Sequence, residues 1–265
     1  MKSIRFLSVF LVFAALAGLT LGCGGGPSDE ELALAELQVQ LDTVKQTYQE
    51  LQSLRGEIAS AEATSAEIEA VVEKKRTDEQ NAQLEELAAK IPGLVTQSET
   101  TYDNLQAQLV DFLNVGLNDH PQSAVTAEAL VIYSDQAIIV SDDIVAKSGD
   151  YKKAIDRLGG AKGYYTAINA PVYPPIEEKI AELQDWRFIT QERFDALSKG
   201  MTMDEVKATV GVPYHSNIQD DEKRGVQTWL YKKREGGAAA VYFKIKTGKM
   251  YSAKWDVIKT KVVTD

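Results

Sequence analysis

Residues 194–251 read FDALSKGMTMDEVKATVGVPYHSNIQDDEKRGVQTWLYKKREGGAAAVYFKIKTGKMY, and the punctuation of this stretch decides the fold. Phe194 and Leu197 stand one helical turn apart, and Gly200 follows a basic last turn. That is the usual helix stop, because glycine enters the left-handed conformation without penalty. Thr202 stands three residues before Glu205, the spacing of a capping box, in which hydroxyl and carboxylate satisfy backbone donors orphaned at a helix start. The helix so opened puts Val206 and Val210 on one face and ends at Gly211-Val212-Pro213. A polar loop follows, with Asp220, Asp221, Glu222, Lys223 and Arg224, and then the period drops to two. Trp229 and Tyr231 share one face; Val241, Phe243 and Ile245 alternate with Tyr242 and Lys244. After the Thr247-Gly248-Lys249 turn, Tyr251, Ala253, Trp255 and Val257 alternate with polar residues. Period two bounded by glycine turns predicts an antiparallel meander with one packed and one wet face. With the two helices over it, this is a small ααβββ two-layer domain.

The order Gly200-Met201-Thr202, Glu205-Val206, Gly211-x-Pro213, Trp229-x-Tyr231 and Phe243 resembles the SmpA/OmlA (BamE-type) family, small lipoprotein domains of the outer-membrane assembly machinery. The resemblance spans residues 190–257. It implies a non-catalytic protein-binding role in outer-membrane protein assembly or envelope maintenance. It also puts forward Gly200, Met201, Thr202, Gly211, Pro213, Trp229, Tyr231 and Phe243 as a motif and candidate partner surface. Read as residues alone, Trp229, Tyr231, Phe243 and Tyr251 are core. Several small secreted domains, inhibitors among them, share this architecture, so a second reading is an inhibitor or ligand-sensing module. Tyr242 on the wet face and Tyr214 in the preceding loop are the aromatics that reading would use.

Outward from this domain lies the start of the chain. Lys2 and Arg5 precede an apolar run from Phe6 to Leu21, and Gly22-Cys23 follows, the pattern of a secretory signal over residues 1–22 rather than a spanning helix. Cys23 is the single cysteine, so it forms no disulfide within the chain, and it stands where a bacterial lipoprotein signal places its lipidated cysteine. Leu21-Gly22 fits that resemblance, while Thr20 occupies the place where leucine is usual. Gly24-Gly25-Gly26-Pro27-Ser28 makes residues 23–28 a flexible tether. The absence of aspartate directly after Cys23 favours, by resemblance, outer-membrane delivery. Membrane contact is thus expected through a lipid on Cys23, with protein partners in the envelope and no nucleic acid.

Residues 29–185 read as a helical arm, a departure from the family just named, whose members are mostly little more than the end domain. Leu37, Leu41, Val44, Tyr48 and Leu51 keep the 4-3-4-3 spacing of a coiled-coil seam. Ile58, Ala61, Ser65, Ile68 and Val72 resume it after a shift at Leu54, and Leu84, Leu87, Ile91 and Leu94 take it up again beyond a polar stretch from Lys74 to Asn81. Pro92-Gly93 predicts a break or kink. Two antiparallel helices within one chain is the first choice of geometry and a parallel oligomeric coil the second. From Pro121 to Pro171, Ala-rich segments around Gly149-Asp150-Tyr151 resemble a single tetratricopeptide helix pair, a helical hairpin. A connecting helix from Ile176 to Trp186 leads to the end domain, 186–265. The fold class is therefore α+β, a long helical arm followed by a small two-layer domain.

Charge divides along the same line. Residues 24–185 carry 12 basic and 29 acidic side chains, and residues 186–265 carry 15 and 10. The first reading of this division is a solvated acidic face that keeps long helices soluble. The sharper one is that Lys232-Lys233-Arg234 with Lys244, Lys246 and Lys249 form a basic surface for anionic lipid headgroups or an acidic partner. Chemistry is not indicated. His120 and His215 are the only histidines and lie in different predicted units, too few ligands for zinc. Ser216 beside His215 lacks a nucleophile elbow and oxyanion glycines. Neither Gly24-Gly25-Gly26 nor Gly236-Gly237 has the strand-loop-helix context of a phosphate cradle. No catalytic, metal or cofactor residue is put forward.

Overall fold

The computed structural model describes residues 27–257, so the signal peptide, Cys23 and most of the tether lie outside the described residues. Within them the class is α+β: seven α-helices, then one four-stranded antiparallel sheet.

Helix α1 (Asp29–Glu69) opens on a capping box between Ser28 and Glu31, and Asp29, Glu30 and Glu31 place negative charge at its positive end. Its 41 residues make a rod of about 60 Å. The rod ends because Arg76 reaches back. Its Nε donates to the carbonyls of Ile68 (3.2 Å) and Val71 (3.0 Å), and Nη2 to that of Glu69 (3.0 Å), filling acceptors left open at a helix C-terminus. A second capping box, Thr77 with Gln80, then starts α2 (Asp78–Asp119). The polar stretch from Lys74 is thus a hairpin tip, and α1 and α2 pair within one chain. The break expected at Pro92 is absent, and α2 runs through it. Pro92 and Ala88 are both exposed, so the carbonyl that loses its donor stays within reach of water.

Helices α3 (Ala124–Ser148), α4 (Tyr151–Ala167) and α5 (Pro174–Trp186) pack on the end of the hairpin nearest the N-terminus. The shared core joins Leu37, Leu41 and Leu51 of α1 to Leu105, Leu109 and Phe112 of α2, Leu130 of α3, Leu158 of α4 and Ile176 of α5. Helix α3 is long and apolar enough to cross a membrane, but it is the central helix of this bundle, which explains its composition.

A separate core begins at Ile189. Two short helices, α6 (Gln191–Asp195) and α7 (Met203–Val210), precede strands β1 (Ile218–Asp221), β2 (Val226–Lys232), β3 (Ala238–Lys244) and β4 (Lys249–Lys254), paired in sequence order. The packed face carries Trp229, Tyr231, Val241, Phe243 and Met250 against Val206 and Val210. Two details differ from expectation. The sheet has one strand more, because Ile218 to Asp221 pair with Trp229 to Val226, where a polar loop is expected at Asp220 and Asp221. A short, exposed, acidic edge strand carries no apolar alternation to betray it, and those charges guard the edge. Nor is the second face wholly wet, since Leu230, Ala238 and Ala240 are buried.

Candidate functional site

The motif residues of the end domain fall into four structural jobs. Gly200 (φ 98°) donates its N–H to Met250 O, and Met250 N returns a bond to Met201 O, each 2.8 Å. The Gly200-Met201 turn therefore extends the ladder beyond β4. Thr202 closes the capping box with Glu205 that starts α7, and its two bonds hold the Glu205 carboxyl below the usual range. Trp229, Tyr231 and Phe243 are core: Trp229 and Phe243 pack at 4.4 Å, and Trp229 Nε1 donates to Gln227 Oε1 at 2.8 Å. These three are buried, so they stabilise the domain and are not a surface for partners.

Gly211 and Pro213 do a different job: they join the end domain to the arm. Gly149, left-handed at the turn between α3 and α4, packs so close that a Cβ there would sit 2.2 Å from Pro213 O. Tyr151 Oη accepts the Val212 N–H at 3.0 Å, and Tyr231 Oη donates to Gly211 O at 3.2 Å. A Cβ on Gly211 would meet Tyr151 Oη at 2.8 Å. Arg193 stacks on Trp186 at 3.9 Å and pairs with Asp185. The oppositely charged units thus meet through backbone and aromatic contacts, with Arg193 and Asp185 forming an ion pair at the join. Burial raises the Tyr231 phenol well above its ordinary value.

The proposed basic surface is dispersed. Lys233 is buried and paired with Asp256, its Nζ 4.9 Å from the Trp255 ring. Lys232 and Arg234 flank Phe188, each cation within 5.4 Å of its ring centre. Register puts Lys244 opposite Val226, at the other end of β2 from Lys232, which is about 20 Å at 3.3 Å per residue. His215 is exposed, its ring 4.5 Å from Tyr214, and His120 caps α2; the two histidines share no site. Among the described residues no group of histidine, cysteine, aspartate and glutamate could hold a metal.

Two features escaped the sequence. One is a polar layer inside the bundle. Arg55 of α1 donates to Gln136 Oε1 of α3 at 3.0 Å, and Arg157 of α4 donates to Gln106 Oε1 of α2 at 3.2 Å. Each guanidinium lies near a tyrosine ring, Tyr102 at 5.9 Å and Tyr133 at 5.7 Å. Nearby Asp135 accepts from Tyr48 at 3.4 Å, and burial raises its carboxyl above the usual range. The other is an open cleft of about 740 Å³ where α3 leaves the hairpin. Ile58, Val95, Tyr102, Ile139, Val140 and Ile144 line it, all half-buried. Glu62, Glu99, Asp143 and Lys147 stand exposed at its rim. Side chains so distant in sequence share no local pattern, so only the packing of three helices assembles the cleft.

No family model matches this chain. No curated protein and no solved structure matches it either. Function must therefore be argued from the surface itself.

Proposed function

We propose that this chain is a lipid-anchored envelope protein with a non-catalytic, protein-binding role, held to the outer membrane through Cys23 and facing the periplasm. The arm is a spacer and docking element, and the end domain is fixed to it at Gly149. The observation that carries the protein-binding reading is the half-open apolar cleft, because exposed apolar concavities of this size mark interaction sites. The lipid anchor rests on the Gly22-Cys23 signal and the glycine tether. Outer-membrane protein assembly or envelope maintenance is the process favoured by the BamE-type order of residues 200–243.

Crosslinking with mass spectrometry in native envelopes tests the proposal, comparing the intact chain with Cys23→Ala. Recovery of outer-membrane assembly proteins, lost in the variant, is the expected result. One feature favours the inhibitor or ligand-sensing reading: the Tyr242 and Tyr251 rings meet at a tilt, centroids 6.2 Å apart, half-exposed on the outer face of the sheet. Recovery of a single periplasmic enzyme through that face would replace the assembly reading.

A further inference from the structure

We propose that the cleft between α1, α2 and the C-terminal half of α3 receives a basic amphipathic helix of a partner protein. This rests on the protein-binding reading above and specifies both site and ligand.

The walls select a helix. The lining runs from Arg55 to Glu62 on α1, from Val95 to Tyr102 on α2 and from Ile139 to Lys147 on α3, each about 10 Å or two helical turns. No sheet edge borders the cleft. An extended peptide seated there would therefore lay unpaired backbone groups on isoleucine and valine, whereas a helix satisfies its own. Apolar anchors at i, i+3 or i+4, and i+7 match a two-turn floor.

The charges select a basic one. Arg55, the cation on the floor, is turned inward to Gln136, which is 0% exposed. Arg55 also lies within electrostatic range of Asp143, so Glu62, Glu99 and Asp143 face Arg55 and Lys147, and the lining keeps a net negative charge. The surrounding chain points the same way, since residues 57–99 carry ten acidic and four basic side chains. Lysine or arginine flanking the apolar stripe of an incoming helix would meet complementary potential, which speeds encounter and fixes register.

The test uses the chain carrying Cys23→Ala in detergent-free buffer and fluorescence anisotropy. The probes are a labelled helical peptide of about four turns, with leucine on one face and lysine on the other, and its glutamate-faced counterpart. The lysine peptide is expected to bind at least tenfold tighter. Ile144→Asp and, separately, Val140→Asp should each weaken it tenfold or more, with circular dichroism showing each variant folded. Glu99→Gln with Asp143→Asn should weaken it about threefold and flatten its salt dependence, while Val39→Asp, on exposed α1, leaves it unchanged. Equal binding of both peptides, or undiminished binding to both cleft variants, overturns the proposal. A photocrosslinker at Ser98 in native envelopes separates the two readings. A protein adduct there supports the cleft. Protein adducts only elsewhere on the chain overturn the cleft and leave the protein-binding reading to rest on that other surface, whereas a lipid adduct at Ser98 overturns the cleft and removes the observation that carried the reading. No protein adduct from any position removes both.

Discussion

The two ends of the α1–α2 hairpin use one kind of seam and meet different fates. Near the N-terminus, Leu41, Leu109 and Leu105 are fully buried because α3, α4 and α5 close over them. Toward the tip, Leu84, Leu87, Ile91 and Leu94 remain half-exposed, because two helices bury one stripe each and no third helix arrives. A two-helix seam holds the rod and buries Ala61 and Ile68 of α1 but leaves the α2 stripe half wet, since burial scales with the apolar area removed from water. Stability and availability for binding are therefore divided along one pair of helices, with the cleft at the border.

Paired truncations give the largest expected effect. Phe112→Ala in the covered half should lower unfolding free energy by about 3–5 kcal/mol, and Leu87→Ala toward the tip by about 1 kcal/mol. Both are read by denaturant titration. Equal losses would break the distinction between the two halves. Next comes the point where the cover stops. Gly149→Ala adds a Cβ against Pro213 O at a left-handed residue, and should cost about 2 kcal/mol while speeding protease cleavage at Arg187. A melt and cleavage rate equal to the parent's would mean that the end domain is not locked to α3.

Across that junction, Tyr231→Phe removes the hydroxyl bonded to Gly211 O and should cost about 1 kcal/mol at pH 7. Because burial raises this phenol well above its ordinary value, the unfolded chain ionises first as pH passes about 10, and the parent loses stability there. The phenylalanine variant has no such loss, so the gap should narrow in alkaline titration. The smallest effect lies inside the covered half. Asp135→Asn keeps an acceptor for Tyr48 and removes a carboxylate whose ionisation burial opposes. The parent loses that stability as pH rises through the raised carboxyl value. The variant should thus be more stable by a few tenths of a kcal/mol at pH 7 and equal to the parent near pH 3. A variant less stable at pH 7 would show that the carboxylate is needed by its donor Tyr48.

Much of this fold was legible residue by residue. The Thr202-Glu205 box, the seam from Leu37 to Leu51 and the alternation around Phe243 each declare themselves within about four turns or one strand, because caps and periodicity act over short range. Pro92 misled for the same reason: a local rule predicts a break, and an exposed carbonyl tolerates its absence. Asp220 and Asp221 misled in reverse, since nothing local distinguishes an acidic edge strand from an acidic loop.

The candidate site divides differently. The glycine-proline motif could be read from the chain, but its use as the clasp on Gly149 could not, because the partners lie more than sixty residues apart. Lys233 counted as surface until its pairing with Asp256 buried it. The cleft draws Ile58, Val95 and Ile144 from three helices, and no spacing links them. Local chemistry determined the elements, their ends and their charges. Which apolar side chains stay open to a partner was decided only by where α3 stops covering the hairpin, a consequence of helix lengths and packing angles that sum over the whole chain.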